Sequence, residues 1–336
     1  MLARLRLARL RSCFVNTQSV SSMSSSPAYT SQSSNRCVML EPLGFDFNES
    51  AAQDNFFMDG KGSEGEANHD NVVNKVCQEH AALLATMRDR GIHVDLFSYT
   101  SDHGTPDAVF PNNWFSTHSG GGSGGGETAS GEDTMVLYPM KVPNRRKERR
   151  ADIIERMQSE KPRTVIDLSC HETESGAGDA IFLEGTGCLV LDRINKVAYC
   201  SLSQRANASV AREWCDALGY KGVFFSSADA SGGVIYHTNV IMAIGTTTAV
   251  VCEEGIPDRG EREAVVAHLK ESGREVIPIT HGQVSSFCGN ILEMLNGEGR
   301  PVMLMSSQAH DAFTPNEKEM MLKHVGKHSK EKQEVV

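Results

Sequence analysis

The sequence predicts an α/β protein built from repeated strand and helix units. From Cys37 onward, short apolar segments typical of strands alternate with longer segments whose apolar residues recur at helical spacing. Five long helical segments are present, each within its own group of strands. The chain has 336 residues, 39% of them hydrophobic, which is enough to form a sizeable core. No break in composition divides the body, so we expect one domain over residues 36–336.

The predicted elements follow one another in a regular order. Cys37–Leu43 is the first predicted strand. Apolar residues at helical spacing predict five helices, at Asp70–Arg90, Asn144–Glu160, Ser203–Leu218, Asp258–Ser272 and Pro315–Lys330. Short apolar runs predict strands after the first four, at Ile92–Phe97, Thr164–Leu168, Gly222–Phe225 and Glu275–Ile279. Ser201 or Ser203 is the expected cap of the third helix, and Thr314 before Pro315 marks the start of the last.

Two segments differ in composition from the body. Residues 1–35 contain four arginines and many serines but no acidic residue, a composition typical of a mitochondrial transit peptide. The alternative is a disordered extension upstream of a second start at Met23. Residues 119–133 are rich in glycine and serine and predict a flexible surface insertion, since they lack the ending of a phosphate-binding loop.

Charge and cysteine usage exclude several classes of protein. A net charge of −10 argues against nucleic acid or an anionic membrane as the main partner. Apolar runs are too short for a membrane span. The nine cysteines lack metal-binding spacing and are typical of reduced intracellular thiols. We expect a mitochondrial location if the first segment is a transit peptide, and a cytoplasmic one otherwise. The oligomeric state stays open, and a homo-oligomer is compatible with the sequence.

Three polar residues stand beside glycine or small residues at the ends of apolar runs. Cys288 precedes Gly289, His237 follows Tyr236, and Glu184 precedes a Gly-Thr-Gly turn. A thiol, an imidazole and a carboxylate are the groups that cysteine nucleophilic catalysis requires. Each also has an ordinary structural interpretation: a buried thiol, a structural histidine and a solvated turn acid. Cys188, Cys200 and Cys252 lie inside apolar runs, where burial is expected to keep them protonated.

Two other groups of charged residues do not match a known binding motif. His171, Glu172, Glu174 and Asp179 lie near one another in sequence, but their spacing matches no common metal motif. We therefore expect no metal and no organic cofactor. The basic run at residues 145–150 is interpreted as a solvated helix face.

The order of several motifs resembles the guanidino-group-modifying superfamily of amidinotransferases and deiminases. The motifs are Pro-Asp-Ala-Val-Phe-Pro-Asn-Asn-Trp-Phe at 106–115, Phe-Leu-Glu-Gly-Thr-Gly at 182–187, Ser-Leu-Ser-Gln-Arg-Ala-Asn at 201–207, Tyr-His-Thr-Asn at 236–239 and Phe-Cys-Gly-Asn at 287–290. The chain looks closest to dimethylarginine dimethylaminohydrolase-like and citrulline-utilization-type hydrolases. This resemblance implies a five-fold pseudosymmetric α/β propeller, the pentein fold, built of ββαβ-type modules.

The resemblance also implies a role for each matching residue. Cys288 would be the nucleophile, His237 the general acid and base, and Glu184 the carboxylate beside that histidine. Asp107, Asn112 and Asn113 fall where the family binds the substrate. Arg205 falls where an arginine would hold the substrate's α-carboxylate.

Three positions depart from the family pattern. Asn112 and Asn113 replace an acidic pair, and Gln283 stands where a further aspartate is common. Fewer carboxylates weaken the match to a guanidinium cation, which disfavours methylated arginine as the substrate.

The expected function is a cysteine-dependent hydrolase. It would cleave a C–N bond of an arginine-like guanidino substrate through a covalent S-amidino intermediate and release a ureido product with ammonia or an amine. Two alternatives stay open: an amidinotransferase that passes the amidino group to an amine, and a non-catalytic binding protein on the same fold.

Overall fold

The computed structural model describes residues 31–52, 66–120, 128, 130–173 and 180–325. Most of the predicted presequence, most of the glycine-rich part of the insertion at 119–133, and the chain after residue 325 lie outside these ranges.

The described chain alternates strands and helices, as predicted. The strands are β1 Arg36–Leu40, β2 His93–Phe97, β3 Phe115–His118, β4 Thr134–Leu137, β5 Thr164–Asp167, β6 Leu189–Asp192, β7 Val197–Ser201, β8 Lys221–Phe225, β9 Met242–Ile244, β10 Thr248–Val251, β11 Glu275–Pro278, β12 Leu292–Leu295 and β13 Pro301–Leu304. The helices are α1 Glu49–Ala52, α2 Glu66–Asp89, α3 Ala151–Glu160, α4 Gly185–Cys188, α5 Ala208–Leu218, α6 Arg259–Glu271, α7 His281–Val284, α8 Ser307–Ala312 and α9 Pro315–Val325.

These strands form five small sheets, and three of the sheets share one topology. In each of the three, an antiparallel hairpin is followed by a helix and by a third strand that pairs in parallel with the second, giving the orders β3-β4-β5, β6-β7-β8 and β9-β10-β11. The first sheet is the parallel pair β1-β2, and the last is the antiparallel pair β12-β13. Among the described residues, β1 therefore has no antiparallel partner and β13 has no parallel one. The architecture belongs to the α/β class, as predicted.

The central strands are buried on both faces. All residues of β4, β7 and β10 are buried, because each strand has paired neighbours on both edges and packed elements on both faces. The core is continuous between the first and last sheets, because one cluster contains Val94 of β2 together with residues of α2, β12 and β13. This continuity supports one domain.

Two predicted helices begin later than expected, for local reasons. The second helix starts at Ala151, because residues 145–148 form a separate 3-10 turn. The third starts at Ala208, and its cap is Asn207, whose side chain accepts a hydrogen bond from the amide of Ser209. The hydroxyl of Ser203, one of the expected caps, instead donates to the carbonyl of Tyr236.

The predicted boundary at residue 35 is wrong, because residues 31–35 belong to the folded body. Gln32 is buried, and its side-chain amide donates to the carbonyls of Leu191, at 2.7 Å, and Ile244, at 3.3 Å. Ser33 donates to the carboxylate of Glu293 at 2.7 Å. The segment thus ties β6, β9 and β12 together.

In the part of the chain that the structure describes, no helix combines the length and the apolarity needed to cross a membrane.

Candidate active site

Five of the seven predicted site residues lie on turns that come directly before the first strand of a sheet. The 3-10 turn Pro111–Asn113 precedes β3, Glu184 precedes α4 and β6, and His237 precedes the 3-10 turn Thr238–Val240 and β9. Cys288 stands in the corresponding place before β12. Because each turn has the same position relative to its sheet, turns that are far apart in sequence can meet.

Two glycines of α4 allow the first two turns to approach closely. Gly185 has a φ of 44°, and a side chain there would collide with the backbone carbonyl of Asn112. At Gly187 a β-carbon would collide with the side-chain amide of Asn113 and lie 3.0 Å from the His237 ring. Glycine at these two positions therefore lets Asn113 and His237 lie on either side of one short segment.

Glu184 and His237 form a buried pair. The Nε2 atom of His237 is 2.9 Å from Oε2 of Glu184, and the Glu184 side chain has no exposed surface. Burial acts to raise the pKa of Glu184. The hydrogen bond from His237, the charge that the His237 ring carries at low pH, and the charges of Arg205 and Arg145 outweigh burial and lower that pKa to about 2. Glu184 is therefore ionised and can only accept, so Nε2 carries the hydrogen of this bond.

The other ring nitrogen of His237, Nδ1, does not take part in the bond to Glu184. Burial lowers the pKa of His237, although Glu184 acts in the opposite direction, so the ring is neutral at pH 7. With the hydrogen on Nε2, the lone pair is on Nδ1, which lies over Gly187. A neutral imidazole held by a carboxylate in this way can accept and return a proton.

Arg205 is buried against the same carboxylate. Its Nη1 donates to Oε2 of Glu184 at 3.3 Å and its Nη2 donates to the carbonyl of Ala51 at 3.2 Å. Its guanidinium also lies over the ring of Tyr236, 4.4 Å from the ring centroid. Arg205, which is predicted to hold the substrate's carboxylate, thus lies next to the Glu184–His237 pair. One of its donor groups, Nη2, is already bonded to the carbonyl of Ala51 in α1.

The interpretation of residues 145–150 as a solvated helix face is wrong. Arg145 and Glu148 are buried, with 3% and 0% of their surfaces exposed. The guanidinium of Arg145 forms two bonds to the carboxylate of Glu148, at 2.8 and 3.1 Å, and donates to Oδ1 of Asn113 at 3.1 Å. It also lies 3.7 Å from Asp107 and 3.8 Å from Glu184. The i,i+3 charge pair was visible in the sequence, but such pairs are usually exposed, so nothing there indicated burial.

Asp107 lies at the same end of the site, beside a residue that sequence reasoning missed. Nδ2 of Asn48 donates to Oδ2 of Asp107 at 2.8 Å, and both side chains are buried. Asn48 also exchanges hydrogen bonds with Asn144. Asn112 is half-buried, and its backbone carbonyl accepts from the hydroxyl of Thr186 at 3.4 Å. No sequence signal marked Asn48, because nothing in its segment resembles a motif.

Cys288 is not grouped with the acid–histidine pair. Its side chain is fully buried in an apolar cluster, and its sulfur donates to the carbonyl of Ala309 in α8 at 3.5 Å. Burial raises the pKa of the thiol to about 11, and the negative charge of Glu317 acts in the same direction with a smaller effect. Although Cys288, Glu184 and His237 all lie in the described part of the chain, no contact joins the sulfur to either partner.

The segment around Cys288 nevertheless adjoins the His237 turn through its backbone. A β-carbon at Gly289 would collide with the carbonyl of Val240, and Asn290 donates to the carbonyl of Asn239 at 3.1 Å. The expected grouping of thiol, imidazole and carboxylate is therefore met for two of the three residues.

Other thiols and acids have structural roles. Cys188, Cys200 and Cys252 are buried, and burial raises the pKa of each thiol, as predicted. Within the described ranges, no three His, Cys, Asp or Glu residues are arranged to hold a metal. His171 contacts Glu213, and Glu172 binds Arg149, while residues 174 and 179 lie outside the described ranges.

Solved structures with the same fold include enzymes that act on arginine-like compounds. The substrate-bound N-terminal domain of ArgZ, a cyanobacterial arginine dihydrolase, in a cysteine-to-serine mutant, matches with a TM-score of 0.60, 16% identity and coverage of 86% of this chain and 88% of that one. DDAH from Pseudomonas aeruginosa, as a cysteine-to-serine mutant complexed with citrulline, matches with a TM-score of 0.52, 15% identity and coverage of 86% and 88%. Unliganded AgrE matches with a TM-score of 0.62, 16% identity and coverage of 87% and 35%. This chain spans about a third of the longer ArgZ and AgrE chains.

One family profile matches this chain. No curated protein matched. The profile of eukaryotic N,N dimethylarginine dimethylhydrolases matches residues 41–330, nearly the whole described body. The match confirms the predicted resemblance. The chain belongs to the eukaryotic N,N dimethylarginine dimethylhydrolase family.

Proposed function

We propose that the protein hydrolyses a C–N bond of a guanidino compound related to arginine. The observation that carries this proposal is the buried Glu184–His237 pair, 2.9 Å apart, beside Asp107 and two buried arginines. Family membership supports it, as do the arginine dihydrolase and dimethylargininase-type structures that share the fold. The amides of Asn113 and Asn48 and the carboxylate of Asp107 would bind the planar end of the substrate.

In this mechanism the substrate's amidine carbon is attacked by a thiolate and the C–N bond to the departing nitrogen breaks. His237 would take the thiol proton onto Nδ1 to form the attacking thiolate and deliver that proton to the departing nitrogen. It would then take a proton from the water that hydrolyses the S-amidino intermediate and return it to the released sulfur. Glu184 would keep the ring oriented by accepting from Nε2. The products are a ureido compound and ammonia or an amine.

Cys288 is the residue we assign as nucleophile, and its surroundings impose a condition. Its sulfur must leave the contact with Ala309 and face the His237 turn before it can react. The turn is held in an unfavourable backbone conformation, since Phe287 has a φ of 64°, which costs about 1–2 kcal/mol for a side chain of this kind. A rearrangement at Phe287 would release this strain and move Cys288.

A second candidate function is guanidino binding without turnover. The burial of the Cys288 thiol and its raised pKa favour this alternative, since a protonated thiol in an apolar cluster is a poor nucleophile. Arg205, Asp107 and Asn113 would then form a binding site only. The amidinotransferase alternative differs in that product appears only when an amine acceptor is added.

One set of assays separates these functions. The purified protein is incubated with L-arginine, methylated arginines and other guanidino compounds, with and without glycine, and ammonia, amine and ureido products are measured. Wild-type turnover that is lost in Cys288→Ser supports the hydrolase, and turnover that survives in Cys288→Ser removes Cys288 from the mechanism. Ligand binding without product supports the second candidate, and neither binding nor product contradicts both.

Three further proposals concern the architecture, the location and the assembly of the protein. We propose that the five sheets form a five-fold pseudosymmetric propeller of ββαβ-type modules, which the shared topology of three sheets supports. We also propose mitochondrial import directed by residues 1–30, testable by fusing them to a fluorescent protein. A homo-oligomer stays compatible with the chain, and light scattering of the purified protein measures it.

A further inference from the structure

The buried charges of the site nearly cancel. Glu184, Asp107 and Glu148 supply three carboxylates, and Arg145 and Arg205 supply two guanidiniums; each of the five residues is at most 5% exposed. One negative charge is left when all are ionised and His237 is neutral. That residual negative charge attracts a substrate cation. Adding or removing one proton in this cluster therefore changes the attraction.

Glu148 determines where the charge of Arg145 acts. Its carboxylate holds the guanidinium with two bonds, at 2.8 and 3.1 Å. The same guanidinium lies 3.7 Å from Asp107 and 3.8 Å from Glu184, just beyond direct hydrogen bonding. Arg145 is therefore shared between one carboxylate that does not face the proposed substrate and two that do.

We propose that Glu148 is a positioning residue that controls cation binding at this site. While ionised, it holds Arg145 away from Asp107 and Glu184; when it takes up a proton, Arg145 competes with the substrate cation for those two carboxylates. The inference rests on the proposed function, because it assumes that a guanidinium binds there.

The surroundings of Glu148 place its titration in the physiological range. The groups that face it are Arg145 on the same turn, Asp107, Glu184 and Tyr99. Burial raises the pKa of Glu148 to about 7, even though Arg145 acts to lower it. Burial also raises the pKa of Tyr99, so that hydroxyl stays neutral. The pKa of His237 is lowered, so its ring stays neutral near pH 7 as well.

The test is the pH profile of L-arginine binding to the full chain, measured by titration calorimetry. For the wild type we expect affinity to fall about tenfold or more from about pH 8.5 to about pH 6, since one added charge among buried groups changes binding by at least this factor. Glu148→Gln should bind weakly with no pH dependence over that range. Glu155→Gln, which removes an exposed carboxylate on α3, is the matched control and should follow the wild-type profile.

A double variant keeps the test independent of folding problems. In Glu148→Gln with Arg145→Met, the isolated buried arginine is gone and one negative charge is again left, so L-arginine should bind well at all these pH values. This inference alone would be overturned if wild type and Glu148→Gln bound L-arginine with the same pH profile. It would also be overturned if the double variant bound L-arginine as weakly as Glu148→Gln does. A wild type that binds no L-arginine at any pH would contradict the proposed function, and the inference with it.

Discussion

Replacing Glu184 with glutamine tests how strongly the acid–histidine pair is held. The substitution keeps the shape of the side chain but removes the charge that faces His237, Arg205 and Arg145. The pKa of Glu184 is lowered from 4.5 to about 2 in the folded protein. At 1.36 kcal/mol per unit, this difference corresponds to about 3 kcal/mol of stability from the ionised carboxylate.

The sign of this contribution fixes its pH window. Because the folded pKa is lower than the unfolded one, the stability is fully present above about pH 4.5 and is lost as pH falls towards 2. Urea unfolding is followed by the fluorescence of the buried Trp114 and Trp214. Glu184→Gln should be less stable than wild type by about 3 kcal/mol at pH 6, and the two should converge near pH 2. Glu155→Gln, on the surface, should track the wild type throughout. A gap that persists unchanged down to pH 2 would refute the electrostatic argument.

Three other perturbations follow from the same contacts. Gly187→Ala places a β-carbon against the amide of Asn113, so we expect about 1–3 kcal/mol of destabilisation and weaker L-arginine binding; unchanged urea unfolding and affinity would contradict the packing. Burial raises the pKa of the Cys288 thiol to about 11, so this thiol is protonated at pH 7 and iodoacetamide should label the exposed Cys170 far faster; mass spectrometry that finds Cys288 labelled first would contradict its burial. A chain that starts at residue 31 should unfold like the full chain, whereas one that starts at residue 36 should lose about 2–4 kcal/mol with its tethering hydrogen bonds; equal stability of the two would show that residues 31–35 contribute nothing.

The local features of the chain were readable from the sequence. Apolar spacing located all five long helices and the strands that follow four of them, because a 3.6-residue period is imposed by one buried helix face. The start of the last helix at Pro315 was predicted from Thr314, which accepts from the amide of Glu317. Errors fell where a turn competed with a helix, as at residues 145–148.

Some residues of the site were indicated by the sequence, and others were not. Glu184 and His237 stood out because each is a polar residue between an apolar strand and small residues, and the structure brings them together. Arg145 and Glu148 did not stand out, since a basic run with an acid three residues later is usually solvated. Their burial depends on Asp107 and Asn113, which arrive from a segment more than thirty residues away.

The sequence by itself determined the α/β class, the family and the turns on which polar residues are presented, because these depend on short-range periodicity and motif order. Only the tertiary structure decided which of those residues meet. It placed Glu184 against His237, moved two charges of a basic run into the interior, and enclosed Cys288 beside Ala309. The physical reason is that burial and the charge of distant neighbours set whether a side chain is ionised and what it can reach, and neither is encoded within one segment.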